Sequence, residues 1–268
     1  MSRVREVIQA KIYDNTLLQR FIWILLLALI WQFVYWSGMF SPLSFPSLLE
    51  IGEAFFVSLT GGELLQQLLF SLSIIVQGLV ISLAAALFLS LAAHFSAVVA
   101  SLVDTVVALA HPLPGIALMP LVLIWMGAGR GAILFIIVHS VLWPMVLNLR
   151  TGFSSIPEIY GLVGENYGLN RLEILVQIMA PASLPYFLAG LKIGWARSWR
   201  ALISAEMLFG AVNSVGGLGW YIFQRRVFFD LPGVFSGIIV IIIIGILVED
   251  IIFQQVEEKT VVKWGMKS

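Results

Sequence analysis

There is no cysteine among the 268 residues. That excludes a disulfide framework, a zinc–thiolate site and a cysteine nucleophile. Charge is scarce as well: Asp, Glu, Lys and Arg make up 11% of the chain, against about 25% in a soluble domain. The 15 basic and 15 acidic side chains cancel, so nothing in the charge balance points to nucleic acid. No G-x-x-x-x-G-K-[ST] phosphate loop is present, and the chain has no route of that kind to nucleotide hydrolysis. His, Asp and Glu do not gather at metal-ligand spacing, so no metal or cofactor is expected on this chain. Ser, His and Asp occur as scattered singletons, which argues against an enzyme. No repeat, low-complexity segment or interdomain linker is visible.

What the sequence does have is apolar length. It is 60% hydrophobic, with mean hydropathy +1.00. Burying that much apolar surface calls for a lipid bilayer. About six transmembrane helices are expected, at 21–38, within 64–95 starting near Phe70, at 102–126 with an interruption at His111-Pro112-Leu113-Pro114, at 132–149, 184–209 and 231–248. Backbone groups in lipid must be satisfied within the segment, so helices are expected even for the β-branched run 238–248. The fold class is all-α integral membrane. Residues 1–20 form a charged tail without a signal-peptide core, 21–253 one membrane domain, and 254–268 a second tail. With the N-terminus inside, nine Lys and Arg fall on the cytoplasmic side, among them Arg3, Arg5, Lys11, Arg150, Arg171 and Lys267, and three outside. That asymmetry puts both ends in the cytoplasm. On the outer side, 48–59 reads as a short surface helix exposing Glu50 and Glu53. Gly216-Gly217-Leu218-Gly219 reads as tight turns.

The inner segment 150–183 is unusually polar. Ser155-Ile156-Pro157-Glu158 has the S-x-x-E pattern of a capping box, predicting a helix from there to about Tyr167. Gly168 can end it in the left-handed conformation. Asn170, with Glu173 three residues on, can cap a second helix carrying Leu172, Leu175, Val176 and Met179, with Pro181 and Pro185 following it. This helix–glycine–helix is either a rigid knuckle for a soluble partner or an amphipathic loop packed on its own bundle.

The 184–209 span carries Lys192, Arg197, Arg200, Ser204 and Glu206. At 1.5 Å per residue the two arginines lie about 20–24 Å from its start, too deep to reach the cytoplasm easily. They share a face with Ser204. They either line a path for an anion or are structural, paired with Glu206 or with carbonyls. His111, beside Pro112 and Pro114, is either part of that path or a hydrogen-bonded core histidine; His139 has the same alternatives. Lys192 is expected to anchor at the inner interface, and Asp104 to cap or pair near the inner end of the third span.

The 162–181 spacing resembles the cytoplasmic signature of ATP-binding-cassette importer permeases, E-A-A-x3-G-x9-I-x-L-P. Gly168, Ile178 and Pro181 match it. Leu162, Val163 and Gly164 replace E-A-A, and Ala180 replaces the leucine. The fragments LAHPLPGIALMPLVLIWMGAG (109–129), NLRTGFSSIPEIYGL (148–162), LPYFLAGLKIGWARSWRALISAEMLFG (184–210) and GGLGW (216–220) are similar to the nitrate/sulfonate/taurine branch. The resemblance implies a type I importer permease of the bacterial inner membrane. It implies a second permease copy, a homodimer being expected, and cytoplasmic ATPase subunits that hold ATP and Mg and receive the knuckle. A periplasmic or extracellular solute-binding protein would deliver a small anion such as nitrate, a sulfonate or taurine. With Leu162 in the glutamate position, either the contact to the ATPase would be more apolar or the ATPase would be a specialised partner. The competing reading is a stand-alone ion-coupled transporter or channel, which calls for its own coupling-ion site and internal repeats.

Overall fold

The computed structural model describes residues 16–210 and 216–266, with side chains from Leu18 onward. Arg3, Arg5, Lys11 and Lys267, counted above for orientation, lie outside the described residues, as does most of the N-terminal tail. All regular structure among the described residues is helical. The first half comprises α1 (Thr16–Trp36), α2 (Leu48–Thr60), α3 (Glu63–Phe95), α4 (Ala97–Ala110), α5 (Met119–Met126) and α6 (Arg130–Ser154). The second comprises α7 (Glu158–Asn166), α8 (Arg171–Ala182), α9 (Leu184–Phe209), α10 (Leu218–Val227) and α11 (Leu231–Ile246), whose helical path continues in wide turns to Val262. Four helices, α1, α3, α6 and α11, are long and apolar enough to cross a membrane. Two bent pairs raise the number to six: α4 with Gly115–Met126, and α8 with α9.

Two boundaries differ from expectation. α3 begins at Glu63, ahead of Phe70, because the chain reverses at Gly61-Gly62, where Gly62 has φ +78°. The third span is broken at 111–114, where its interruption was expected, and its two parts meet at 86°. Pro112 and Pro114 lack the N–H that would carry the ladder across, and Pro114 is extended at φ −63°, ψ 129°. The last helix does not stop near Val248, and its continuation buries Phe253 and Val261.

The core centres on α6, which packs between α3 and α9. Small residues let the backbones approach. A Cβ on Gly78 of α3 would lie 2.4 Å from Ile137 of α6, and one on Gly194 of α9 would lie 3.0 Å from Val141. Gly78→Leu is therefore expected to destabilise the bundle by about 1–3 kcal/mol through overpacking. Thermal unfolding of purified protein checks this, and an unchanged midpoint would refute the close approach.

α1 is the outlier, with none of its apolar window buried. Polar contacts fasten it near both ends. Trp31 donates its indole N–H to Pro46 O (3.0 Å) and stacks on Phe45, and Arg20 pairs with Asp250 beyond α11. α2 starts at a complete capping box: Ser47 Oγ accepts from Glu50 N, while Glu50 accepts from Ser47 N at 2.7 Å.

Candidate functional site: a cationic cavity and a helix–glycine–helix knuckle

The break between α4 and α5 opens a cavity of about 450 Å³. His111 to Ile116 form one wall. α6 supplies His139, Ser140 and Trp143, and α9 supplies Arg197, Arg200 and Ser204. The 3.6-residue period puts these three α9 side chains within one narrow sector. No ion pair to Arg197 or Arg200 occurs among the described residues, and no carboxylate lines the cavity. Arg200 Nε donates to Ala196 O at 3.2 Å, which leaves its terminal nitrogens for the cavity. His111 belongs to the lining, as one of its two readings required.

His139 has a different task. Its Nε2 lies 3.1 Å from Leu113 O, and its Nδ1 receives the Trp143 indole N–H at 3.3 Å. A carbonyl on one side and a donor on the other select the Nε2–H tautomer. The ring thus satisfies a carbonyl left over by the proline break and braces the cavity wall.

Glu206 is not part of the cavity, and it does not pair with the arginines. Six residues past Arg200, it points to another side of α9 and is 1% exposed. It accepts from Gly219 N (2.8 Å) and from Ser71 Oγ (3.2 Å), while Ser71 Oγ accepts from Leu218 N (2.9 Å). The carboxylate therefore caps the N-terminus of α10 from a different helix, where it meets otherwise unpaired N–H groups and the positive end of the dipole. The glycines expected as tight turns are instead the start of this helix. They leave room for the carboxylate: a Cβ on Gly217 would sit 1.9 Å from Glu206 Oε1. α10 is held further by Tyr221, whose hydroxyl donates to Ser58 Oγ at 2.8 Å. Burial pushes the Tyr221 phenol above its ordinary pKa, keeping it a neutral donor. Arg225 stacks on that ring and pairs with Glu63 and Asp230.

Lys192 pairs with Glu257 at 2.5 Å and lies over the Phe253 ring. Asp104 pairs with Arg150.

In the knuckle, Ser155 does not cap α7. It closes the last turn of α6, with Oγ donating to Gly152 O (2.9 Å), and α7 starts only after Pro157. The cause is local: proline disfavours helical φ/ψ at the residue before it, so Ile156 cannot serve as a first helical residue. Glu158 thus opens α7 without that capping partner. Gly168 has φ +78°, and Leu169 N bonds back to Gly164 O at 3.0 Å, closing the turn as a glycine C-cap should. Asn170 and Glu173 form the expected capping box, with Asn170 Oδ1 accepting at 3.0 Å from both Leu172 N and Glu173 N. Gly164 lets α7 and α8 close: a Cβ there would lie 2.9 Å from Ile174 and Ile178. Pro181 does not follow α8 but lies in its last turn, and a π-helical stretch Leu175–Met179 precedes it. Such a widened turn accommodates a residue without a donor. α8 then meets α9 at 63°.

The knuckle exposes apolar side chains among its charged ones. Ile159, Tyr160, Leu172 and Val176 are exposed, as are Leu162 at 49% and Tyr167 at 83%. These side chains decorate helices otherwise fixed by caps and a glycine turn, so the patch has a defined shape.

Comparison with known proteins finds transport permeases similar to this chain. The chain is 27% identical over 226 residues to the taurine transport system permease TauC of Escherichia coli, covering 82% of this chain and 80% of the relative. It is 28% identical over 193 residues to the nitrate import permease NrtB of Leptolyngbya laminosa, covering 72% and 68%. A putative ABC transporter permease of Methanocaldococcus jannaschii is 29% identical over 188 residues, covering 70% and 69%. The family model for the binding-protein-dependent transport system inner membrane component matches residues 78–262. With its several apolar helices and that match, the chain is a multi-pass membrane protein and belongs to the family of binding-protein-dependent transport system inner membrane components.

Proposed function

We propose that this permease works in an ATP-driven importer, with ATP and Mg bound on separate ATPase subunits docked at the knuckle of 150–183. The observation that carries this reading is the exposed apolar patch around Leu162 and Tyr167 on a rigid, capped turn. In a membrane protein such a patch at the foot of the bundle calls for a protein partner. A second copy of the chain, a homodimer, completes the pathway, and a solute-binding protein meets the outer surface formed by α2 and α10. Both termini lie in the cytoplasm of the inner membrane. The substrate is a small anion such as nitrate, a sulfonate or taurine. Two arginines facing a cavity without a carboxylate support an anion, and the names of the relatives point the same way.

Affinity purification of the tagged chain from native membranes tests the partner: a P-loop ATPase in amounts comparable to the bait supports the reading, and the bait alone counts against it. The substrate class is tested by Arg197→Gln and Arg200→Gln. Each removes one charge-assisted contact and is expected to lower anion transport about tenfold, with the ATPase still bound. Uptake equal to the parent in both variants would make these arginines structural.

A further inference from the structure

We propose that the cleft between the C-terminal ends of α3 and α6 binds a phosphate-bearing ligand, through Arg150 and the hydroxyl of Ser90. The cleft has a volume of about 230 Å³ and is lined by Ser90, Ala93, His94, Arg150, Phe153 and Ser154. It is separate from the cationic cavity and lies where α6 hands over to the knuckle.

The first observation is an orphan hydroxyl. Buried serines in apolar helices normally return their proton to a carbonyl one turn back. Ser82, Ser198 and Ser236 do so, at 2.7, 2.8 and 2.8 Å. Ser90 is 1% exposed, and its Oγ has no partner among the described residues. An unpaired buried hydroxyl is destabilising unless a ligand satisfies it. Ser90 is one of the residues around a cleft that also contains a guanidinium.

The second observation is how Arg150 is held. Asp104 and Ala100 O both engage Nη1. Nε and Nη2 make no hydrogen bond among the described residues, and they are the edge that grips two oxygens of one phosphate. His94, packed against Phe153 with ring centroids 5.8 Å apart, adds a ring nitrogen to the rim. The cleft sits at the ends of two membrane-crossing helices, at the depth of lipid headgroups. Next to His94 in the chain, Phe95 is exposed and offers apolar surface to acyl chains. The same oxyanion chemistry serves a lipid phosphodiester or free phosphate.

The test uses the full chain in phosphatidylcholine nanodiscs. Phosphatidylglycerol is introduced in one arm and inorganic phosphate in the other. Binding is read by native mass spectrometry and by the shift in the thermal midpoint. Retention of phosphatidylglycerol without a phosphate-induced shift identifies a lipid headgroup, and a shift with inorganic phosphate identifies a soluble oxyanion. Ser90→Ala is expected to weaken whichever probe binds by about three- to tenfold, the size of one hydrogen bond to a charged group. Without probe that variant should be at least as stable as the parent, since it loses an unpaired buried hydroxyl, so weakened binding cannot be put down to misfolding. Asp104→Asn, which relieves Arg150 of its competing carboxylate, should tighten binding. The proposal fails if neither probe exceeds the phosphatidylcholine background, or if both variants bind like the parent.

Discussion

Replacing Gly168 by valine is expected to lower transport by more than tenfold and to reduce the ATPase recovered with the permease, while the membrane bundle still folds. The backbone alone carries the effect. Gly168 has φ +78°, and a Cβ there would meet nothing within 4 Å, so crowding contributes nothing. A β-branched residue in the left-handed region costs about 1–3 kcal/mol. The turn relieves that cost by opening, which separates α7 from α8 and breaks the apolar patch into two mobile halves. The argument predicts a graded series. Asn, which tolerates the left-handed region, should nearly preserve activity; Ala should fall between; Val should be worst. Uptake and ATPase co-purification, measured on all three variants, check the order. Three variants equal to the parent would mean that the turn does not transmit the power stroke and would undo the proposed coupling.

Glu206→Ala should be the most destabilising single change in α9, by about 3–5 kcal/mol, because one side chain satisfies groups from two other elements. Its loss leaves Gly219 N without an acceptor and Ser71 without its carboxylate. Glu206→Gln keeps an acceptor for Gly219 N and should recover part of the loss. Gly217→Ala attacks the same lock from the other side, since its methyl would overlap the carboxylate. Thermal unfolding in detergent separates the variants: the expected order of stability is parent, Gln, then Ala. If Glu206→Ala unfolds like the parent while anion uptake collapses, the carboxylate acts in transport and not as a cap.

The two S-x-x-E sequences show what could and could not be read in advance. Ser47–Glu50 and Ser155–Glu158 carry the same pattern. The first is a complete capping box and the second is not, although only the second was expected. Pro157 separates them: the rule gives side-chain reach, and the proline forbids the backbone that reach requires. Asn170–Glu173 and Gly168 were legible because caps depend on near neighbours alone. The arginine face of α9 was likewise legible from helical period. The lock at Glu206 was not, since its partners, Ser71 and Leu218–Gly219, come from distant parts of the chain. The spacing Gly-Gly-Leu-Gly carried a hint: three small residues opening a helix make space for something bulky. The 86° break could be suspected from Pro112 and Pro114, but its angle depends on His139 holding Leu113 O from another helix.

That break bears on how the protein is made. α4 has 14 residues and α5 has eight. At 1.5 Å per residue they measure about 21 and 12 Å, both short of the roughly 30 Å hydrocarbon. Neither is long enough to halt in the translocon as a finished span. α6, with 25 residues and an uninterrupted ladder apart from Pro144, is. The ribosome must therefore deliver the whole stretch from Ala97 into α6 before the pair can settle, with the backbone at the bend exposed until His139 emerges. Biogenesis at this point is a delayed commitment: the kink that shapes the cavity becomes stable only when the segment made after it arrives.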